Sequence, residues 1–159
     1  MNDEVTRYQC SPELKFLLNT TALCLPNSNK HLLEVQVNHL DWEKVLTLAN
    51  FHGLSCWLAE YIKGADFIPA QIEKDLNVVC QKQLLLMTFI EQQKLLLIET
   101  LRKAGVRFSI LKGAAIVRSL YQERWYYRKM VDMDILIDPE HLELAFMKLK
   151  SLGFNDKSS

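Results

Sequence analysis

The chain has 159 residues, 49% of them hydrophobic, and its 19 Lys and Arg balance its 19 Asp and Glu to a formal charge of zero. This composition allows one ordinary hydrophobic core, or one small helical domain and part of a second. A net charge of zero excludes a global electrostatic attraction to nucleic acid or to an anionic membrane. Any affinity for phosphate must therefore be local.

Cysteine usage and hydropathy indicate the compartment. The four cysteines form no Cys-x-x-Cys pair, and the four histidines show no metal-ligand spacing with them, which favours free thiols in a reducing compartment over zinc or disulfides. The N-terminus is acidic and lacks a signal-peptide pattern. The longest apolar stretch, residues 84–90, is too short to span a bilayer. These features predict a cytoplasmic protein with no membrane partner.

Helices are predicted throughout the first two-thirds of the chain. Ser11-Pro12-Glu13 is an N-cap followed by a first-turn proline and an acid, and it opens a helix that ends near Leu25-Pro26. The pattern then predicts a loop over residues 26–31, a helix over 41–49 with Asp41 as its N-cap, and two more helices over 54–62 and 69–104. We therefore expect an all-helical N-terminal region over residues 1–104.

After Gly105 the pattern changes to alternating strands and helices. Asp138-Pro139-Glu140 is a second N-cap with a first-turn proline, and it starts a last helix. The pattern predicts a strand over residues 106–111, a helix over 113–120 and a second strand over 131–137. The last helix follows from Asp138 onward. Residues 105–159 are therefore expected to form an α/β core that is truncated at the end of the sequence.

Two carboxylates lie inside the second predicted strand. Asp132 and Asp134 are two residues apart in a run of Val, Met and Ile, and charges inside an apolar strand often mark a functional site. Because side chains alternate faces along a strand, both acids are expected on one side, with Val131 among the residues that fill the other. Such a pair suits Mg²⁺, which binds one or two carboxylates together with the phosphate oxygens of a substrate.

A Lys-Gly pair lies at the turn from the first of these strands into the helix. Gly113 lets a ligand approach the backbone closely, and the helix that it opens offers unpaired N–H groups to phosphate oxygens. Lys112 or Arg128 would add a positive charge there. Each also has a simpler interpretation, since Lys112 can be solvated and Arg128 can pair with a carboxylate. Residues 124–129 interleave basic and aromatic side chains, as a nucleotide-site loop or a packed connector would.

The order and spacing of these motifs resemble one known family. The stretches that carry the resemblance are Leu111-Lys112-Gly113-Ala114-Ala115, Leu120-Tyr121, Arg128-x-Met130-x-Asp132-x-Asp134-Ile135-Leu136 and Leu152-Gly153-Phe154. They are similar to those of the uncharacterised nucleotidyltransferases of the DNA polymerase β-like superfamily. Residues 48–54 and the long helix also resemble the helical lead-in of that family.

The resemblance implies a fold class and a site. The fold would be α+β, with the all-helical N-terminal region followed by the first part of a nucleotidyltransferase-type α/β core with a mixed sheet. Asp132 and Asp134 would be catalytic and would bind two Mg²⁺ ions. Lys112, Gly113 and Arg128 would bind the triphosphate of a nucleoside triphosphate. An acceptor would attack the α-phosphate, and pyrophosphate would leave.

Two departures from the superfamily pattern leave an alternative open. Gly113 is followed by Ala114 and not by Ser or Gly, so a hydroxyl that could bond a phosphate is missing. The superfamily also carries a third carboxylate on a later strand, for which Asp138, an N-cap, and Asp156, in a polar tail, are poor candidates. The fragment is then expected to be incomplete or inactive, and the alternative is a non-catalytic module that binds a nucleotide or a protein. The nucleotide, the acceptor (a small molecule, a protein or RNA) and the oligomeric state do not follow from these residues.

Overall fold

The computed structural model describes residues 10–23 and 37–155, and its architecture is the predicted α+β. The helices and strands, in chain order, are α1 (Pro12–Leu23), α2 (Trp42–Phe51), α3 (Ser55–Ile62), α4 (Ala70–Lys103), β1 (Phe108–Ile110), α5 (Lys112–Tyr121), β2 (Ile135–Ile137) and α6 (Leu142–Ser151). Short 3-10 helices lie at Val37–His39, Gln122–Tyr127 and Pro139–His141. The loop predicted over residues 26–31 lies outside the described residues. None of the described helices is both long and apolar enough to cross a membrane.

The chain divides into two compact units, and the boundary falls inside α4, between Lys82 and Gln83. The sequence pattern predicts a boundary after residue 104, at the change from helices to strands. The helices do give way to the strand-containing part there, since α4 ends at Lys103 and β1 begins at Phe108. That residue 104 also separates two independent domains stays a prediction.

The first unit is held together by contacts among α1, α2 and α3. Its core contains side chains that are almost completely buried: Phe16, Leu17, Val45, Ala49, Leu58, Ile62 and Leu76. Trp42 packs edge-on against Phe16, with ring centroids 5.5 Å apart and planes at 85°, so it is a packing residue. The predicted N-cap of α2 is confirmed, because the Asp41 side chain accepts a hydrogen bond from the Lys44 N–H at 3.1 Å.

One buried carboxylate links α1 to α2. Lys44 Nζ lies 2.9 Å from Oε2 of Glu13, and Glu13 is buried. The hydrogen bond from Lys44, and after it the one from Ser11, lowers the pKa of Glu13 from 4.5 to about 2. The charged form of Glu13 is therefore favoured by folding.

This depressed pKa predicts a dependence of stability on acid. The stabilisation is fully present above pH 4.5 and is lost as the pH falls towards about 2. We expect Glu13→Gln to flatten the fall in the free energy of unfolding over this range, measured by urea titration at several pH values. Glu43→Gln, at an exposed position of α2, is the matched control. An equally flat profile for both variants would contradict the assignment to Glu13.

The second unit contains a two-stranded antiparallel sheet in its described residues. Phe108 lies opposite Ile137, and Ile110 lies opposite Ile135. Two apolar clusters pack beside the sheet and α5: Met87, Ala114, Val117 and Met130 in one, and Leu97, Leu101, Val106 and Ala145 in the other. Three residues of α4 belong to these clusters, so α4 is the support on which the strands and α5 lie.

The second strand is shorter than the sequence predicts. The predicted strand covers residues 131–137, whereas β2 covers only Ile135–Ile137, and Val131 is 82% exposed. The reason is the length of the partner strand. The last bond of the ladder joins the Leu111 N–H to the Asp134 carbonyl at 2.9 Å, because α5 begins at the next residue. The prediction that Val131 fills a buried face is therefore wrong, since Val131 lies before the first residue of β2.

The first strand is also shorter than predicted, and the cause is the end of α4. Gly105 has a positive φ of 71°, and the Val106 N–H donates to the Leu101 carbonyl at 3.0 Å. This is the usual C-terminal cap of a helix. Val106 therefore ends α4, and its side chain is buried. Because of this, β1 begins two residues later.

Candidate functional site

The turn between β1 and α5 brings a lysine and a glycine to the start of a helix. Lys112 has a φ of 52°, a left-handed conformation that is uncommon for a residue with a side chain. The preceding residue, Leu111, makes no side-chain hydrogen bond to the start of the helix. The first N–H groups of α5 are therefore available as donors, together with the positive end of the helix dipole.

Lys112 contacts the acidic segment from this turn. Its Nζ lies 3.0 Å from Oδ2 of Asp134, and the two side chains are 73% and 37% exposed. The ladder bond between Leu111 and Asp134 holds the two backbones side by side. An exposed ion pair of this kind stabilises a protein by only about 0–1 kcal/mol. A metal ion or a phosphate group can therefore displace it at little cost.

Arg128 lies against Gly113. A Cβ atom placed on Gly113 would be 3.0 Å from Arg128 Nε and 3.4 Å from Nη2. A side chain at position 113 would therefore crowd the guanidinium at its present position, although the φ of Gly113 is not unusual. In the described part of the chain, no carboxylate forms an ion pair with Arg128. Its donors are therefore available to an anion at the start of α5.

Asp132 differs from the other predicted site residues, because no contact with a described residue, like that of Lys112 or Arg128, holds its side chain in place. It is exposed, in the irregular segment before β2 and two residues before Asp134. Across residues 10–23 and 37–155, no cluster of three or more His, Cys, Asp or Glu could hold a metal ion. The metal ligands that the sequence predicts are two carboxylates, Asp132 and Asp134, and of these Asp134 contacts the turn through Lys112. Two carboxylates are chemically suited to Mg²⁺, which takes one or two of them and completes its shell with water and phosphate oxygens.

The structure shows the contacts of Ala114 and Asp138, the two described residues that the departures from the superfamily pattern concern. Ala114 is 7% exposed and packs with Met87 and Met130, so a hydroxyl at this position would be buried among apolar side chains. Asp138 accepts a hydrogen bond from the Glu140 N–H at 3.1 Å and pairs with Arg107 at 2.9 Å, which confirms that it is an N-cap. The other candidate for the third carboxylate, residue 156, lies outside the described residues.

The aromatic and basic segment after α5 is packed. The Arg118 guanidinium lies 3.9 Å from the centroid of the Trp125 ring, a cation–π contact. Trp125 and Tyr126 are partly buried against the cluster around Met87. Of the two interpretations of this segment, the packed connector is therefore favoured over a nucleotide-site loop.

Polar residues of α4 that support the turn are not recognised as site residues from the sequence. Glu91 and Lys94 are each 8% exposed, and their ion pair is 2.7 Å long. Lys94 Nζ also donates to the Ala114 carbonyl at 3.4 Å, and Arg118 Nε lies 3.6 Å from Glu91. The sequence does contain a signal that these residues contact the second unit's core. At helical spacing, they and Gln83 fall on the same face of α4 as the buried Met87.

The fold and these contacts define an α+β chain in which a Lys-Gly turn opens a helix beside an Asp-x-Asp segment. A family model described as "Uncharacterised nucleotidyltransferase" matches residues 38–159. The chain belongs to this nucleotidyltransferase family, and nucleotidyl transfer is the general function that membership supports. No match was found among the curated proteins, and none among the solved structures.

Proposed function

We propose that this protein is a Mg²⁺-dependent enzyme that transfers a nucleoside monophosphate from a nucleoside triphosphate to an acceptor. The observation that carries the proposal is the 3.0 Å contact between Lys112 and Asp134. A metal–triphosphate complex needs carboxylates and phosphate donors within a few ångströms of each other. The contact between these two side chains supports that arrangement.

Each residue of the site has a role in this proposal. Asp132 and Asp134 would hold Mg²⁺, as one ion or two, and the metal would supply positive charge beside the phosphates. The N–H groups at the start of α5 and the guanidinium of Arg128 bind non-bridging phosphate oxygens. Lys112 moves from Asp134 to the triphosphate. The acceptor oxygen forms a bond to the α-phosphorus, the bond to the bridging oxygen breaks, and pyrophosphate leaves.

A transfer assay tests this function directly. The protein is incubated with Mg²⁺, nucleoside triphosphates labelled at the α-phosphate, and pools of small-molecule, protein and RNA acceptors. We expect label on one class of acceptor, pyrophosphate release in equal amount, and loss of both on chelation of the metal. Transfer that persists in the presence of a chelator would contradict the Mg²⁺ dependence.

A second candidate function is nucleotide binding without turnover. It is favoured by the capping role of Asp138, which leaves two carboxylates at the described site. Mg²⁺-dependent binding of a triphosphate, with no release of pyrophosphate in the presence of any acceptor pool, would support this candidate over the first.

Lys112 is expected to affect the two ligands of the site in opposite directions. Its ammonium group competes with a metal for Asp134 but attracts a triphosphate. We expect Lys112→Met to raise the affinity for Mn²⁺ alone by several-fold and to lower the affinity for Mg²⁺-tripolyphosphate by roughly tenfold. Calorimetry measures both affinities. Lys129→Met, which removes an exposed cation of the neighbouring segment, controls for net charge. A change of both affinities in the same direction would contradict the shared role.

Gly113→Ala is expected to weaken tripolyphosphate binding without lowering the stability of the protein. Alanine favours a helix over glycine by about 0.5–1 kcal/mol, so the melting temperature should stay equal or rise. The new Cβ would lie 3.0 Å from Arg128 Nε and would push the guanidinium away, which should weaken tripolyphosphate binding by roughly tenfold. The same substitution in an Arg128→Ala background should have little further effect on binding. A large further loss there would show that Gly113 acts independently of Arg128.

A further inference from the structure

We propose that Gln83 on α4 is the positioning residue that holds Arg128 over Gly113. The inference rests on the proposed function, because it specifies how one phosphate-binding side chain of that site is oriented. It is carried by two hydrogen bonds from a buried side-chain amide to the backbone immediately before Arg128.

The first observation is the contact of the Gln83 amide with two consecutive carbonyls. Gln83 Nε2 donates to the Tyr126 carbonyl at 2.7 Å and to the Tyr127 carbonyl at 3.0 Å. Gln83 is only 9% exposed, so removal of the amide would take a buried hydrogen-bond donor away from these carbonyls. Because an amide nitrogen carries two hydrogens, one side chain fixes the direction in which the chain enters Arg128.

A second contact holds the chain on the other side of Arg128. The Met130 N–H donates to Met87 Sδ at 3.4 Å, and both residues are buried. Met87 follows Gln83 by four residues and therefore lies on the same face of α4. Two residues of one helix face thus bracket Arg128, one through residues 126 and 127 and the other through residue 130.

The placement of Arg128 therefore depends on its backbone. Its side chain is exposed, it forms no ion pair with a carboxylate of the described residues, and its guanidinium still lies against Gly113. A free arginine side chain loses rotamer entropy when it is immobilised. Holding the backbone in place before the ligand arrives reduces this cost and raises affinity. Gln83 acts in this way through Arg128, without touching the ligand.

The first test follows the Arg128 side chain in the ligand-free protein by NMR. In the wild type we expect a dispersed Nε–Hε resonance for Arg128, shifted from that of a free arginine. Gln83→Met keeps the length of the side chain but removes the donor, and it should move this resonance to the free-arginine position. Gln92→Met, the same change at an exposed position of α4, should leave it in place. An Arg128 resonance that is unchanged in Gln83→Met overturns the inference.

The second test is a double-mutant cycle with Mg²⁺-tripolyphosphate as the ligand. We expect Gln83→Met to weaken binding by roughly tenfold in the wild-type background and by less than about twofold in an Arg128→Ala background. An equal loss in both backgrounds would mean a general structural effect and would overturn the positioning role. If the wild type binds no tripolyphosphate, the proposed function fails, and the NMR result alone decides whether Gln83 positions Arg128.

Discussion

Asp134→Asn is expected to reduce Mg²⁺-dependent nucleotidyl transfer by at least about 100-fold, because it removes the charge of a metal ligand while it keeps the size of the side chain. Asp134 is 37% exposed and its ion pair with Lys112 is weak, so the melting temperature should change little. The measurement is the initial rate of label transfer at saturating Mg²⁺ and triphosphate. Asp132→Asn should give a loss of similar size, since the proposed metal site uses both carboxylates.

Asp138→Asn is the matched control for this loss. It makes the same chemical change four residues later, and asparagine caps a helix as well as aspartate does. Transfer should therefore be unchanged in this variant, although the exposed contact with Arg107 is lost. A comparable loss of activity would show that Asp138 supplies the third carboxylate, and its interpretation as an N-cap alone would have to be given up.

Lys94→Met is expected to lower the free energy of unfolding by about 2–3 kcal/mol, because it leaves the buried carboxylate of Glu91 without its main partner. The loss should be smaller than for a fully isolated charge, since Arg118 stays 3.6 Å from Glu91. Urea titration measures the change. The variant should also weaken the attachment of α5, because Lys94 Nζ donates to the Ala114 carbonyl.

Two further variants test whether the loss of stability in Lys94→Met comes from a buried charge that is left unpaired. The double variant Glu91→Leu with Lys94→Met removes both charges, and its stability should return to within about 1 kcal/mol of the wild type. Lys103→Met breaks the pair with Glu99 on the same helix, where both side chains are more than half exposed, and should change stability by less than about 0.5 kcal/mol. The expected loss in Lys94→Met is the cost of burying an unpaired carboxylate. A large loss in Lys103→Met, or a double variant as unstable as Lys94→Met, would contradict this explanation.

Most helices could be predicted because their signals are local. Asp41 and Asp138 accept the capping bonds that their positions predict, and the long periodic segment is one continuous helix. Four residues singled out from the sequence, Lys112, Gly113, Arg128 and Asp134, do lie at one turn, and their role as a functional site stays a prediction. The lengths of the strands could not, because a strand continues only as far as its partner does.

By itself, the sequence determines that residues 70–103 form a helix and that a Lys-Gly turn and two acids follow in a nucleotidyltransferase order. It does not determine which face of that helix is buried. Leu85 is 72% exposed, whereas Gln83, two residues earlier, is 9% exposed. Helical periodicity depends on neighbours three and four residues away. Burial depends on the segment that packs against the helix, and for Gln83 that segment is 43 residues further along the chain. Only the tertiary structure could therefore show that a buried amide of α4 holds the backbone at Arg128.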